Sequence, residues 1–220
     1  MNAKMSPKLQ AFTTIGANEE AILQPLYHYK NLAAAAVSPL TFFGVQQGGS
    51  DPDTGAVASA EDTNMKQAGA LPRTNRFLVQ KIRVPIIPVT TLVTPVSGAV
   101  PVAATEDLSD DIARLVYRGR LIFTIMTKPY LEIAPLGECA AGYGLTGMMG
   151  LASFQTSNLQ KVVVNNGGTL PDAGRKVMLP LTDNSTFNVI VDFPKSTLTL
   201  NVAVRIGVVL DGVLYRPENS

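Results

Sequence analysis

The sequence predicts an all-β protein: an antiparallel β-sandwich, built as a single jelly roll of about eight strands, with one inserted helix and an N-terminal arm. Along most of the chain, short runs of alternating apolar and polar residues are separated by clusters of turn formers. Glycine and proline number 18 and 15 among 220 residues, which favours strands and turns over helices. A jelly roll is preferred to an immunoglobulin-like sandwich because the connections vary in length and tryptophan is absent.

The chain is predicted to begin with an arm, residues 1–37, followed by one jelly-roll domain, residues 38–220. Asn18 can cap a helix with an acidic first turn, and Pro25 interrupts that helix. The arm is predicted to lie over neighbouring subunits as a locally helical segment. An amphipathic helix that binds a partner or a membrane is the alternative, which the weak apolar face of the segment disfavours.

The first strand of the domain is predicted over LTFFGV, residues 40–45, and a polar loop rich in turn formers follows over residues 46–75. Residues 76–93 alternate again, and a change of phase at Gln80–Lys81 predicts a β-bulge. Prolines in the second half of this segment predict an edge or a bend there: Pro85 and Pro88.

One helix is predicted over residues 105–119, because acidic residues crowd its first turns and Gly119 can end it. Its apolar face is formed by Leu108, Ile112, Leu115 and Val116. The segment 120–136 suits a strand that is buried on both faces. Three further strands are predicted over residues 161–164, 176–181 and 187–193.

The last strand is predicted over residues 197–210, where alternate residues are apolar. Asp211 and Gly212 follow it. Asp-Gly is favoured at the centre of a type I′ hairpin turn, because both central positions need a positive φ. We therefore expect Gly212→Val to cost about 1 to 2 kcal/mol from the backbone conformation alone, and Asp211→Asn to be nearly silent.

No catalytic, cofactor-binding or metal-binding residue is predicted, and the chain is predicted not to be an enzyme. A metal site of the cupin type needs several imidazoles, whereas His28 is the only histidine. A catalytic Ser-His-Asp or Cys-His unit likewise lacks a suitable base. His28 is interpreted as a surface or interface residue, and Cys139 as a small apolar filler.

Three motifs with functional meanings elsewhere are interpreted structurally. GYGLTG, residues 142–147, matches a nucleotide-binding glycine pattern, but it lacks the flanking strand and helix and is predicted to be a flexible loop. DPDTG, residues 51–55, resembles part of a calcium loop with its glycine one position early, so a turn is predicted and a weak intersubunit cation site stays open. Four acids are interpreted as favourable charges at a helix N-terminus rather than as glycosidase carboxylates: Glu106, Asp107, Asp110 and Asp111.

Charge and hydropathy narrow the function classes. Charged residues are 16% of the chain and the net charge is +1, with scattered Lys and Arg, so sequence-specific nucleic-acid binding is not predicted. The first sixteen residues lack a signal-peptide core, and the apolar run at 32–45 is too short to cross a bilayer, which predicts a soluble protein made in the cytoplasm. A single cysteine excludes an intrachain disulfide. So few charges favour burial against copies of the same chain.

Three segments carry a resemblance to a known family: TNMKQAGALPRTNRFLVQKIRV at 63–84, LIFTIMTKPYLEIAPL at 121–136 and VRIGVVLDGVLYRP at 204–217. With the pattern of strands and loops over residues 37–217, they resemble the capsid proteins of tailless icosahedral bacteriophages, a jelly-roll lineage that often encloses a membrane. The resemblance implies a virion structural protein, a self-assembling major capsid protein that forms capsomers of an icosahedral shell.

The resemblance implies that the partners are further copies of this chain. Whether other capsid proteins or an internal lipid membrane are also partners stays open. It implies a location in the virion after synthesis in the host cytoplasm. The arm, the 46–75 loop and the 137–158 loop are expected to make the intersubunit contacts. Capsid proteins that package nucleic acid directly commonly use a basic arm, so its absence favours a shell over a membrane or another protein layer.

The alternative function is a receptor-binding or lectin-like β-sandwich module. Such a module would present aromatic and polar side chains in a concave site. With no tryptophan and six tyrosines, the chain offers few side chains for stacking against sugars. The capsid hypothesis is therefore preferred.

Overall fold

The structure is a computed structural model that describes residues 10, 12–89, 111–139, 141, 146–151, 159–164, 174–194 and 198–218. These residues form two main antiparallel sheets and two smaller ones of two strands each. The predicted all-β class is confirmed, and the arrangement is consistent with the predicted sandwich.

The larger sheet has six strands: β1 (Glu19–Leu23), β2 (Leu26–Leu32), β5 (Arg76–Arg83), β6 (Ile86–Pro88), β11 (Arg175–Thr182) and β14 (Val204–Pro217). β14 lies at its centre. β1 and β2 pair with β14 on one side, β5 and β6 pair with it on the other, and β11 pairs with the outer side of β5. β5 ends at Arg83 and β6 begins at Ile86, so the strand is interrupted around Pro85, where a bend was predicted.

The smaller main sheet has four strands: β4 (Leu40–Phe42), β7 (Arg120–Ile125), β8 (Lys128–Ile133) and β12 (Phe187–Asp192). Their order is β4-β12-β7-β8, and all pairs are antiparallel. In β7 and β12, alternate residues are buried and the others only partly so. The strand predicted at 187–193 is confirmed by β12, and the strand predicted at 40–45 is confirmed over its first three residues, Leu40–Phe42. The prediction that residues 120–136 form one strand buried on both faces is wrong, because the chain turns back at Met126 and one face of β7 is half-exposed.

Two short sheets complete the description: β3 (Ala36–Val37) with β13 (Leu198–Thr199), and β9 (Thr146–Leu151) with β10 (Leu159–Val164). The strands predicted at 161–164 and 176–181 are confirmed by β10 and β11. The strand predicted at 197–210 is divided, because residues 200–203 separate β13 from β14. Residues 146–151, expected within a loop, form β9 instead.

The two main sheets contribute to a single apolar core. Phe187 of β12 stacks on Phe123 of β7 with ring centroids 6.2 Å apart, and Phe43 lies 5.6 Å from Phe187. Such offset and tilted aromatic pairs bury large areas with defined geometry. The apolar residues that alternate along the strands of both sheets therefore pack into one shared core, as predicted.

The predicted helix is confirmed over residues 111–118, which form α1. Its residues Ile112, Leu115 and Val116 are buried in the core. Gly119 follows the helix, and its N–H donates to Leu115 O at 3.0 Å. The remaining residue of the predicted apolar face, Leu108, lies outside the described residues.

Asp111 attaches α1 to the segment between β13 and β14. Its Oδ2 accepts the backbone N–H groups of Asn201 and Val202 at 2.6 and 2.9 Å. The sequence interpretation gave this acid only a role in the charge of the helix start. The structure adds a long-range structural role that the spacing along the chain did not reveal.

Residues Glu19–Leu23 and Leu26–Leu32 form strands, so the helix predicted in this part of the arm is wrong. β1 and β2 pair with consecutive halves of β14. Inward-facing positions of β2 alternate and are buried: Leu26, His28, Lys30 and Leu32. Two of these four are polar, which hides the strand pattern, and pairing with β14 outweighs local helix propensity. The larger sheet thus includes residues that the boundary predicted at residue 37 had placed outside the domain.

Asp211 and Gly212 lie inside β14, so the hairpin turn predicted there is wrong. On the β5 side, Asp211 pairs with Lys81 and Gly212 with Val79, which leaves Gln80 as a β-bulge. The bulge predicted at this position is confirmed. The Asp-Gly pair lies opposite this bulge and forms no turn, because β14 continues beyond it in pairing with β1 and β5.

Asp211→Asn is expected to destabilise the protein, whereas the sequence alone predicted almost no effect of this substitution. Asp211 forms a bidentate ion pair with Arg83, with distances of 2.6 Å to Nε and 2.8 Å to Nη2. Loss of these charge-assisted hydrogen bonds should lower the free energy of unfolding by about 1 to 2 kcal/mol. Urea unfolding of the wild type and the variant measures the difference, and equal stabilities would contradict the role of the pair.

Candidate functional site

Among the described residues, buried charge is concentrated where β2 meets the 46–75 loop. The group consists of His28 and Lys30 of β2 with Asp51 and Asp53 of the loop, and is here called the Lys30 cluster. Alternation along β2 turns His28 and Lys30 towards the same inward face. The loop folds over that face, so residues about twenty positions apart in sequence meet in the interior.

Lys30 Nζ is the centre of the cluster, and its side chain has no exposed surface. It lies 2.6 Å from Asp51 Oδ1, 2.5 Å from Asp51 Oδ2 and 2.9 Å from Asp53 Oδ2. The ring centroid of Phe42 is 5.7 Å away. A buried ammonium group is tolerated only with such partners, because its removal from water is costly.

The DPDTG turn presents the two carboxylates to Lys30. Asp51 Oδ1 accepts the Asp53 N–H at 2.8 Å, and the Gly55 N–H donates to Asp51 O at 2.7 Å. Asp53 Oδ2 also accepts the Thr41 N–H at 2.7 Å, which ties the turn to β4. The predicted turn is confirmed. Its contact with Lys30 was missed, although a lysine at an inward position of an alternating segment is a signal for a buried partner.

Asp51 is held ionised by its partners. Burial alone would raise the pKa of its carboxyl, but hydrogen bonds from Lys30 Nζ and the Asp53 N–H outweigh burial and hold the pKa below its ordinary value. The carboxylates considered for a weak cation site at DPDTG are thus already paired with Lys30. In the described ranges, no set of three or more His, Cys, Asp and Glu side chains could hold a metal ion.

His28 is fully buried, so its interpretation as a surface or interface residue is wrong. Nδ1 accepts the Phe43 N–H at 2.7 Å, which places the proton of the neutral ring on Nε2. Nε2 lies 3.5 Å from Asp51 Oδ2 and has no hydrogen-bond partner among the described residues. Burial, and then the Lys30 charge, lower the pKa of His28 from 6.5 to about 4. The ring is therefore neutral at neutral pH.

The lowered pKa of His28 predicts a loss of stability on acidification. As the pH falls from 6.5 towards 4, the unfolded chain binds a proton at this ring and the folded chain does not. The stabilisation is complete above 6.5 and is lost as the pH falls, by about 3 kcal/mol in all. His28→Asn keeps an acceptor for the Phe43 N–H but cannot titrate. The stability difference between the wild type and this variant, measured by urea unfolding across the range, should shrink as the pH falls; a constant difference would contradict the prediction.

A second feature is a cleft of about 250 Å³ beside β14. Buried Leu26 and Leu71 line it together with the exposed cations Lys66 and Arg73. Arg216 also lines it and is paired with Glu20 at 2.5 Å. No aromatic side chain is among its described lining residues, so stacking against a sugar or a base has no platform there.

The remaining candidates from the sequence are not brought together into a site. Cys139 is buried, which confirms its role as an apolar filler, and burial raises the pKa of its thiol to about 12. Asp111 serves the structural contact described above. Gly147 of the GYGLTG motif lies in β9, and residues 142–145 lie outside the described residues, as do Glu106, Asp107 and Asp110.

Comparison of the chain with models of protein families, with curated proteins and with solved structures found no match. No helix among the described residues is long and apolar enough to span a bilayer.

Proposed function

We propose that the two main sheets form a jelly roll. In chain order there are eight strand positions, with β1–β2 counted as the first and β5–β6 as the third; the others are β4, β7, β8, β11, β12 and β14. The larger sheet then has the order first, eighth, third, sixth, and the smaller has second, seventh, fourth, fifth. Two interlocked Greek keys, the jelly-roll arrangement, produce this interleaving.

The function that this arrangement supports best is that of a self-assembling major capsid protein, which forms capsomers of an icosahedral shell. The strand order is the observation that carries the proposal, because double-sheet jelly rolls are a recurrent architecture of viral capsid proteins. The inference rests on fold-level analogy and on the resemblance of residues 63–84, 121–136 and 204–217 to phage capsid proteins.

Exposed apolar side chains support self-assembly. Leu23 of β1 is 81% exposed, Tyr117 of α1 71%, and Met126 and Tyr130 of the β7–β8 hairpin 65% and 58%. Burial of such side chains against a neighbour is favourable by about 25 cal/mol per Å² of apolar surface. Charged residues, which would oppose such contacts, are only 16% of the chain.

In this proposal the shared core makes the subunit rigid, and its exposed hairpin and loops contact neighbouring subunits. The partners are further copies of the chain, with other capsid proteins or an internal lipid membrane as additional layers. The place of action is the virion, after synthesis in the host cytoplasm. The cluster around Lys30 holds the 46–75 loop in a defined position against β2 and β4, so that the loop can serve as a fixed contact surface.

Light scattering and sedimentation of the purified chain test the proposal. We expect oligomers of capsomer size or larger, and a double variant, Met126→Asn with Tyr130→Ser, should shift them towards monomers. Asn is chosen because Met126 has a φ of 57°, which Asn tolerates. The exposed control Gln67→Ser should assemble like the wild type. A wild type that stays monomeric at all concentrations would contradict the proposal.

The receptor-binding or lectin-like alternative predicts different results. If the chain is a binding module, it should bind a specific ligand and should not assemble into shells. A glycan-array screen of the purified chain tests for such a ligand. A specific glycan hit from a monomeric protein would favour this alternative. The cleft beside β14 gives it little support, because its described lining has cations and leucines but no aromatic platform.

A further inference from the structure

The geometry points to an intramolecular amide bond between Lys30 Nζ and the side-chain carboxyl carbon of Asp51, formed by the folded chain itself with Asp53 as the proton-transfer group. This modification is independent of the proposed capsid function. It would join β2 covalently to the 46–75 loop.

The first argument is proximity. Both carboxyl oxygens of Asp51 lie within 2.6 Å of Lys30 Nζ, so the carbon bonded to both of them is within reach of the amine. Holding two reactants in contact replaces a bimolecular encounter by an intramolecular step, with effective concentrations of about 10⁵ M or more in well-oriented cases. Lys30 and Asp51 are both buried, so bulk water does not compete for the contact between them.

The second argument is the environment. Burial keeps bulk water away from the contact of 2.5 Å between Lys30 Nζ and Asp51 Oδ2, and the reaction begins when one proton passes along this contact from the nitrogen to the oxygen. The result is a neutral amine beside a carboxylic acid, the pair that condenses to an amide. A desolvated lysine is a recognised nucleophile in proteins. The Phe42 ring and the buried, neutral His28 ring complete the enclosure.

The third argument is a base at the reacting atom. Asp53 Oδ2 lies 2.9 Å from Lys30 Nζ, on a carboxylate separate from the one that is attacked. It can take a proton from the attacking nitrogen and pass it to the departing oxygen. Asp53 is held in this position by the Thr41 N–H, which donates to the same oxygen at 2.7 Å.

The step balances without any further reagent. The nitrogen–carbon bond forms, one carbon–oxygen bond of Asp51 breaks, and the oxygen leaves with two protons as water. An ammonium and a carboxylate thus give one amide and one water molecule, with no change in oxidation state. A cavity of about 40 Å³ lined by His28, Lys30 and Asp51 adjoins the reacting groups, which is enough to hold one water molecule.

Intact-mass measurement of the denatured wild-type chain is the test. We expect a mass lower by one water molecule than that calculated from the sequence after N-terminal processing is assigned. Proteolysis should then release a branched peptide that joins the segments containing Lys30 and Asp51. A wild type with the full calculated mass and only linear peptides would overturn the inference, whatever the variants do.

Variants locate the bond. Lys30→Arg and Asp51→Ala should each have the full calculated mass, whereas Lys66→Arg, at an exposed lysine, should keep the loss of water. Asp53→Ala should fold but acquire the bond slowly or incompletely, and complete bond formation in this variant would remove Asp53 from the mechanism. A loss of water that persists in Lys30→Arg and maps to Asp211–Gly212 would indicate a succinimide there and would contradict the amide.

Discussion

Lys30→Met is expected to lower the free energy of unfolding by about 3 to 5 kcal/mol. The substitution keeps the length of the side chain but leaves Asp51 and Asp53 without the ammonium group that contacts both. Asp51 is 4% exposed, so bulk water cannot hydrate the unpaired carboxylate in place of the ammonium group. The proposed amide would increase the effect, because its loss also removes a cross-link that closes a loop of about twenty residues. Chemical denaturation followed by circular dichroism measures the change.

An exposed ion pair provides the control for Lys30→Met. Arg175 and Glu138 form a contact of 2.9 Å, but their side chains are 51% and 45% exposed. Arg175→Met should change the stability by less than about 1 kcal/mol, because water screens and replaces such a pair. If Lys30→Met and Arg175→Met lowered the free energy of unfolding by the same small amount, the buried Lys30 cluster would stabilise the protein no more than an exposed ion pair does.

Gly212→Val is expected to lower the free energy of unfolding by about 3 kcal/mol or more. The cause differs from the turn conformation assumed from the sequence. A Cβ at this position would overlap the carbonyl oxygen of Leu78 and come within 2.9 Å of Phe77 Cζ, because β5 approaches β14 closely at the bulge. The backbone oxygen cannot move without disrupting the ladder between the two strands. Thermal unfolding of the variant measures the loss.

Alanine substitutions make the comparison sharper. Gly212→Ala already introduces the overlapping Cβ and should be strongly destabilising. Gly44→Ala is the control, because a Cβ there would have only Thr41 Cγ2 nearby, at an ordinary contact distance of 3.6 Å. Gly212→Ala with the stability of Gly44→Ala would show that the backbones are not in close contact at the bulge.

The strands that the sequence predicted best are those with one clean apolar face. β12 alternates without exception, and its inward residues Phe187, Val189 and Val191 are all buried. The period of two is a direct consequence of strand geometry, so it can be found without knowledge of the partner strand. The bulge at Gln80 was visible for the same reason, since one extra residue reverses the phase of the pattern.

The errors occurred where local signals and long-range pairing disagree. Asp211–Gly212 has the composition of a tight turn, but its conformation is set by β5, which lies about 130 positions earlier in the chain. In β2, the inward residues His28 and Lys30 look like surface residues until the 46–75 loop supplies their partners. Pairing across such distances cannot be derived from the composition of a short segment.

The candidate site was predictable only in its parts. The DPDTG turn was recognised from its residues, and the structure confirms it. The contact of its carboxylates with Lys30 depends on how the loop folds over β2, and no local pattern in the sequence predicts that arrangement. The neutrality of His28 depends likewise on its burial beside this loop and on the charge of Lys30, and neither can be derived from the pattern of a short segment.

The central proposal, a jelly-roll subunit that assembles into a shell, is tested most directly by electron microscopy of the purified chain and of particles from its native source. We expect capsomers or closed shells in which the repeating unit contains two sheets of four strand positions each, in the orders β1/β2-β14-β5/β6-β11 and β4-β12-β7-β8. Monomers alone in both preparations, or shells from which this chain is absent, would contradict it.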